Sequence, residues 1–288
     1  MDRVLLSFTP TLSKKLISKG VAALPEVQRA LREGKILIST GTTAAYVYLE
    51  LCGVVPDSTL ACGMVTAKGL CVGHGMTDFL KTHPHASFWL LDRGVVVQTD
   101  DLQHELLGLS AQDVFIKGAN AIDSTGQVGV MLGNPNSGGT MGQAIGQVMA
   151  HGLHFIIPVG LEKTILGSVT DNAKEMGIDK VNFSSGMPVG FVPLSGVVIT
   201  EIHAIQELAD VEVLHVGSGG IAGGEGSVTL LVKGEKQEVE KVIRLYAEMR
   251  ADRRHEALET HGAVCAQHKW SSCLTKNILY KDNVKKGI

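Results

Sequence analysis

The segment DVFIKGANAIDSTGQVGVMLGNPNSGGTMGQAIGQ, Asp113 to Gln147, holds the densest structural signal in the chain. Its apolar triplet Val114-Phe115-Ile116 has the residue types of a buried strand. A polar turn follows, then a second apolar segment, then a loop of glycine, asparagine and serine that opens a helix. Gly118, Gly133, Gly138 and Gly139 let the backbone turn sharply and approach a ligand closely. Asn134, Asn136, Ser137 and Thr140 bring side-chain hydrogen bonds and a candidate N-cap. A helix that starts after such a loop presents free backbone amides, which favour an anion.

Working outward towards the amino terminus, Leu16, Ile17, Val21, Leu24, Val27 and Leu31 recur at helical spacing within residues 11–33. Pro25 divides this helix and Gly34 stops it. Lys35–Ser39 reads as a strand, Thr40-Gly41-Thr42-Thr43 as a turn, and Ala44–Leu51 as a helix. Leu60–Val72 and Ser87–Gln98 read as hairpin-like strand pairs, and residues 101–107 as a brief helix. Beyond the central segment, the helix Thr140–His151 leads to a strand, Phe155–Val159, then a helix over 166–177 and extended chain over 180–199. The alternation of strand and helix from 35 to 160 predicts an α/β fold with a doubly wound, mainly parallel, Rossmann-like sheet.

From Val197 the order becomes β-α-β-β-α, ending in a helix whose apolar face carries Val239, Val242, Ile243, Leu245, Tyr246 and Met249. That order predicts a small ferredoxin-like α+β unit. The expected organisation is therefore an α/β ligand-binding domain over 1–195, the α+β unit over 196–250, and a polar tail over 251–288. The glycine-dense stretch 217–226 reads either as a second anion loop or as a hairpin connection; Glu225 is its only charge.

The composition narrows the function classes. A net charge of −3 gives no electrostatic reason to expect nucleic acid or an anionic membrane as partner. No apolar run approaches the roughly 20 residues that span a bilayer, and the opening residues make a poor signal peptide. Five cysteines without framework spacing argue against a disulfide scaffold. Together these point to a cytoplasmic protein, with a homo-oligomer expected.

Three groups of residues carry candidate chemistry. Thr40, Gly41, Thr42 and Thr43 either cradle a phosphate or carboxylate or merely cap a helix. Lys117, Asn120 and Asp123 follow a buried strand, at the sheet edge where ligands bind in open α/β sheets. There Lys117 neutralises an anion and Asp123 acts as general base. Asn134, Asn136, Gly138, Gly139 and Thr140 complete the pocket. His83 with His85, and Cys265 with His268 and Cys273, match no metal-site spacing, so neither a metal nor another cofactor is expected.

Two of these segments resemble ribose-5-phosphate isomerase of type A. KILISTGTTAAYVYLEL, Lys35 to Leu51, is similar to its first strand-turn-helix, where a glycine-rich turn cradles the sugar phosphate. DVFIKGANAID, Asp113 to Asp123, is similar to its later aspartate-bearing strand-turn. More broadly, the pattern resembles the superfamily of ribose-phosphate isomerases, glucosamine-phosphate deaminases and CoA transferases. Lys117 and Asn120 stand where that motif has its first two aspartates, and Asp123 keeps the third carboxylate. The resemblance implies a site for a small anionic metabolite, a sugar phosphate or an acyl/CoA-type compound, and isomerase- or transferase-like chemistry. The departures imply as alternatives a non-catalytic ligand-binding or regulatory protein of the same fold, or a structural oligomer.

Overall fold

The structure is a computed structural model that describes residues 1–56, 62–66, 69–72 and 88–258. Strand β1 (Asp2–Phe8) leads into α1 (Pro10–Ala23) and α2 (Pro25–Glu33). Proline at the first turn of each helix loses no hydrogen bond there, and the Thr9 hydroxyl accepts from the Leu12 amide to cap α1. Strand β2 (Lys35–Ser39) and helix α3 (Thr42–Cys52) follow, then β3 (Cys62–Thr66), β4 (Gly69–Val72), β5 (Phe88–Asp92) and β6 (Val95–Val97). Next come α4 (Leu102–Leu107), β7 (Val114–Ile116), β8 (Ala121–Ile122), β9 (Val128–Leu132), α5 (Gly139–His151) and β10 (His154–Pro158). The rest is α6 (Val169–Glu175), β11 (Gly190–Leu194), β12 (Val197–Ile199), α7 (Glu201–Leu208), β13 (Val211–Gly219), β14 (Ser227–Gly234) and α8 (Lys236–Ala251).

The largest sheet has the order β12-β10-β7-β2-β5-β6. Its first four strands are mutually parallel, and β5 and β6 join antiparallel. Two three-stranded antiparallel sheets, β1-β14-β13 and β11-β9-β8, and the β3-β4 pair make up the rest.

The doubly wound, mainly parallel, Rossmann-like sheet expected from the alternation therefore does not form. Among the described residues, antiparallel pairings outnumber parallel ones seven to three. Short turns decide this. Arg93 and Gly94, both at positive φ, close β5 onto β6, and the turn at Ser124–Gly126 closes β8 onto β9. Connections this short can only reverse a strand, whereas a parallel pair needs a crossover of a dozen or more residues. The ferredoxin-like unit is corrected in the same way. The β-α-β-β-α order is present, but β12 joins the large sheet beside β10, and β14 takes β1 as its other neighbour.

Two cores lie on opposite faces of the large sheet. Ile36, Ile38, Val114, Ile116 and Ile156 face α1 and the β1-β14-β13 sheet, where Leu16, Ile17, Val21, Leu230 and Val232 meet them. Leu37, Phe115, Phe155 and Ile157 face the other way, onto Val128, Val130, Met141, Ala144 and Val148. The central strands are buried on both faces, which is why they read as unbroken apolar runs. Among the described residues, no helix is long and apolar enough to cross a membrane.

Candidate functional site at the carboxyl edge of the parallel strands

Because β2, β7, β10 and β12 run parallel, their carboxyl ends open at one edge. The turns there are Thr40-Gly41, Lys117–Asn120, Val159–Lys163, and the Thr200-Glu201 entry to α7. Ligands of open α/β sheets bind at this edge.

Helix α3 starts directly after Gly41, and no side chain caps it among the described residues. Its first amides are left without intrahelical partners, as at any helix start. Gly41 is in extended backbone, with φ 166°, and a Cβ placed on it would meet no described atom within 4 Å. Thr40 and Thr43 are buried, and Thr42 is half-buried. The Ser39 hydroxyl is buried with no hydrogen-bond partner among the described residues.

The pairing of β2 with β7 sets Lys117 on the neighbouring turn, half-buried, its amide bonded to the Ile156 carbonyl at 3.1 Å. Asn120 is placed differently. Its side chain donates to the Gly63 carbonyl at 3.1 Å and accepts from the Met131 amide at 3.0 Å, which makes it a strut between strands.

Asp123 is also built into the frame. One oxygen accepts from the Thr125 hydroxyl at 2.6 Å, the Thr125 amide at 2.9 Å and the Gln127 amide at 3.2 Å; the other accepts from the Val169 amide at 2.9 Å. These bonds, the Thr125 hydroxyl foremost, hold its pKa below the usual carboxylate range. A carboxylate satisfied at both oxygens is a weak proton acceptor.

The 133–140 loop closes on itself. The Asn134 side chain accepts from the amides of Asn136 and Ser137, its carbonyl accepts from Gly138, and the Ser137 hydroxyl accepts from Gly139. Gly138, not Thr140, is the N-cap of α5, and both Gly138 and Gly139 sit at φ 66°, a region that favours glycine. The loop follows β9, in the antiparallel β11-β9-β8 sheet, so strand pairing does not join it to Thr40 and Lys117 as β2 and β7 are joined.

Two carboxylates at this edge were missed from the sequence. Glu201, the first residue of α7, has 0 % exposure, and its Oε2 accepts from the Leu161 amide at 2.9 Å. Burial pushes its pKa up to about 7; the Glu162 charge adds to that, while the Ser13 hydroxyl pulls the other way. Even so, Glu201 Oε1, Glu162 Oε2 and Ser13 Oγ all lack a hydrogen-bond partner of acceptable geometry among the described residues. An acidic residue at the start of a helix is ordinary, so nothing local in the sequence marks Glu201. Only the packing of α1 over that turn takes it out of water.

No family model, no curated protein and no solved structure matches this chain. Its chemistry therefore has to be argued from the site. Among the described residues no three His, Cys, Asp or Glu side chains are grouped to hold a metal ion. The expectations on His83, His85, Cys265, His268 and Cys273 lie outside the described residues. A cavity of about 260 Å³ opens at the opposite, amino edge, bordered by Val148, Leu153, Phe155 and Gly196. It is mostly apolar and offers little to hold an anion.

Proposed function

We propose that the protein binds a small anionic metabolite, a sugar phosphate or an acyl/CoA-type compound, at the carboxyl edge of β2 and β7. The amides of Thr42 and Thr43 and the hydroxyls of Thr40, Thr42 and Thr43 receive the anion, and Lys117 neutralises it. The supporting observation is the uncapped start of α3 at Gly41, with space beside the glycine and Lys117 on the adjacent turn. We place the protein in the cytoplasm, as a homo-oligomer.

The reading as a binding or regulatory protein is favoured over isomerase-like turnover by one specific observation. Asp123, the carboxylate retained from the resembling motif, is fully engaged in holding a turn and α6.

Calorimetric titration with inorganic phosphate and with ribose 5-phosphate tests this. Gly41→Val fits the extended backbone without strain and fills the space beside the turn, so it should abolish binding while leaving the fold intact. Lys117→Ala should weaken binding about tenfold, the loss of one charge-assisted contact. Equal affinity in wild type and Gly41→Val would remove the anion from this turn.

A further inference from the structure

Just past β10 the chain makes a single 3₁₀ turn, Leu161–Lys163. The turn is tied down on both sides. The Leu161 amide donates to the buried Glu201 carboxylate at 2.9 Å, and the Lys163 amide donates to the Gly160 carbonyl at 3.1 Å. Thr164 bridges to Ile122, and the Ile165 amide donates to the Ile122 carbonyl at 2.9 Å, which fastens the turn to β8. A side chain leaving a backbone held in this way is fixed at its base.

That side chain is Lys163. It is half-buried, and its ammonium donates to the Ala119 carbonyl at 3.0 Å. Ala119 belongs to the Lys117–Asn120 turn, which follows β7, and β7 pairs with β2, the strand that leads to Thr40-Gly41. Neighbouring strands lie about 4.8 Å apart, so one ligand group reaches both turns. Lys163 therefore brings a second positive charge to the turn that already carries Lys117.

An ammonium has three donors, and the Ala119 carbonyl takes one of them. Among the described residues Lys163 has no other side-chain partner, and no carboxylate pairs with it. Other lysines are matched: Lys19 meets Glu50 at 3.0 Å, Lys174 meets Asp171 at 2.7 Å, and Lys233 meets Glu212 at 2.7 Å. The adjacent acid, Glu162, lies back over Gly160, where an added Cβ would collide with its carboxyl, and its charge falls on Glu201. A charge drawn partly out of water calls for a counter-ion. An anion seated between Lys163 and the start of α3 supplies one.

We propose that Lys163 is the second cation of the anion site, and that it makes this a site for a dianionic phosphate ester rather than for a carboxylate. The assignment rests on the reading that the anion sits at the start of α3. Two ammoniums and the α3 amides match a group that carries two charges and three free oxygens. A carboxylate, with one charge and two oxygens, leaves one lysine unmatched.

Calorimetric titration at about pH 8, where a phosphate ester is a dianion, tests this with ribose 5-phosphate, inorganic phosphate and acetate as probes. Wild type should bind both phosphates at least about tenfold more tightly than acetate. Lys163→Met keeps the apolar stem and removes the charge, and should weaken ribose 5-phosphate about tenfold. Lys163→Gln keeps a donor for the Ala119 carbonyl without the charge, and should lose affinity likewise. Suppose Gly41→Val abolishes phosphate binding while both Lys163 variants bind as wild type does. The anion site then stands and the role of Lys163 falls. Phosphate bound equally by Gly41→Val and wild type moves the site elsewhere, and the role of Lys163 falls with it. Acetate bound by wild type as tightly as phosphate overturns the preference for phosphate without recourse to any variant. No binding of any probe by wild type overturns both the site and the role of Lys163.

Discussion

The Val169 amide donates to the Asp123 carboxylate at 2.9 Å, fastening the start of α6 to the β8–β9 turn across 46 positions of chain. The same carboxylate gathers Thr125 and Gln127, so a single side chain sets the turn and docks the helix. Asp123→Asn replaces an acceptor with a donor facing an amide or a hydroxyl. It should destabilise the fold by about 1–3 kcal/mol, measured by denaturant unfolding. Unchanged stability would show that these bonds are replaceable by water. The sign with pH is also fixed: the folded pKa is lowered, so this contribution is present above the unfolded carboxylate range and fades as pH falls through the folded value.

Burial acts on His255 in the opposite direction to Glu201. Its ring is 2 % exposed and stacks on Tyr46 at 4.6 Å, and neither ring nitrogen has a hydrogen-bond partner among the described residues. Burial, with the Lys15 charge adding, lowers its pKa from 6.5 to about 4. The unfolded chain binds a proton that the folded state refuses. Its contribution is complete above pH 6.5 and is lost as pH falls through about 4. His255→Phe keeps the stack and cannot titrate, so its acid-side loss of stability should be shallower than that of wild type. Identical acid limbs would mean that His255 is not the group responsible.

Gly20 shows where packing overrules helix propensity. A Cβ there would lie 2.5 Å from the Ala204 Cβ, where α1 crosses α7. Propensity alone predicts that Gly20→Ala gains up to about 1 kcal/mol. The crossing predicts instead a net loss of about 1–3 kcal/mol from overpacking. Adding Ala204→Gly should restore most of that loss. A stabilised Gly20→Ala single variant would contradict the close crossing.

Arg93 sits at φ 47° in the turn between β5 and β6. Its contact with Asp92 is exposed and contributes little. Arg93→Gly relieves the left-handed backbone and should stabilise the hairpin by up to about 1 kcal/mol, read as a raised denaturation midpoint. A lower midpoint would give that ion pair more weight than exposed pairs usually have.

The residues make clear why some of this was legible and some was not. Val114-Phe115-Ile116 could be recognised as a central strand because burial on both faces leaves no polar alternation. Pro25 and Gly34 punctuated their helices through local backbone chemistry alone. The turn at Arg93-Gly94 was also local, and the hairpin it makes was readable. The antiparallel character it imposed on that edge of the sheet was the consequence that strand-and-helix alternation obscured.

The two-faced central strands and most helix positions were thus determined by the sequence itself, because each depends on neighbours within a few residues; β1, which no local pattern marked as a strand, and the helix start at Thr42, two residues before Ala44, were not. Strand order was decided only in three dimensions: β12 pairs with β10, and β1 with β14, through contacts that no local pattern encodes. The same holds for Asp123 and Glu201. Both are carboxylates beside a turn, but one is met by three amides and a hydroxyl, while the other is buried under α1 with one oxygen unmet. Their acidities part in opposite directions because a charge responds to everything packed around it, and that packing is a property of the fold.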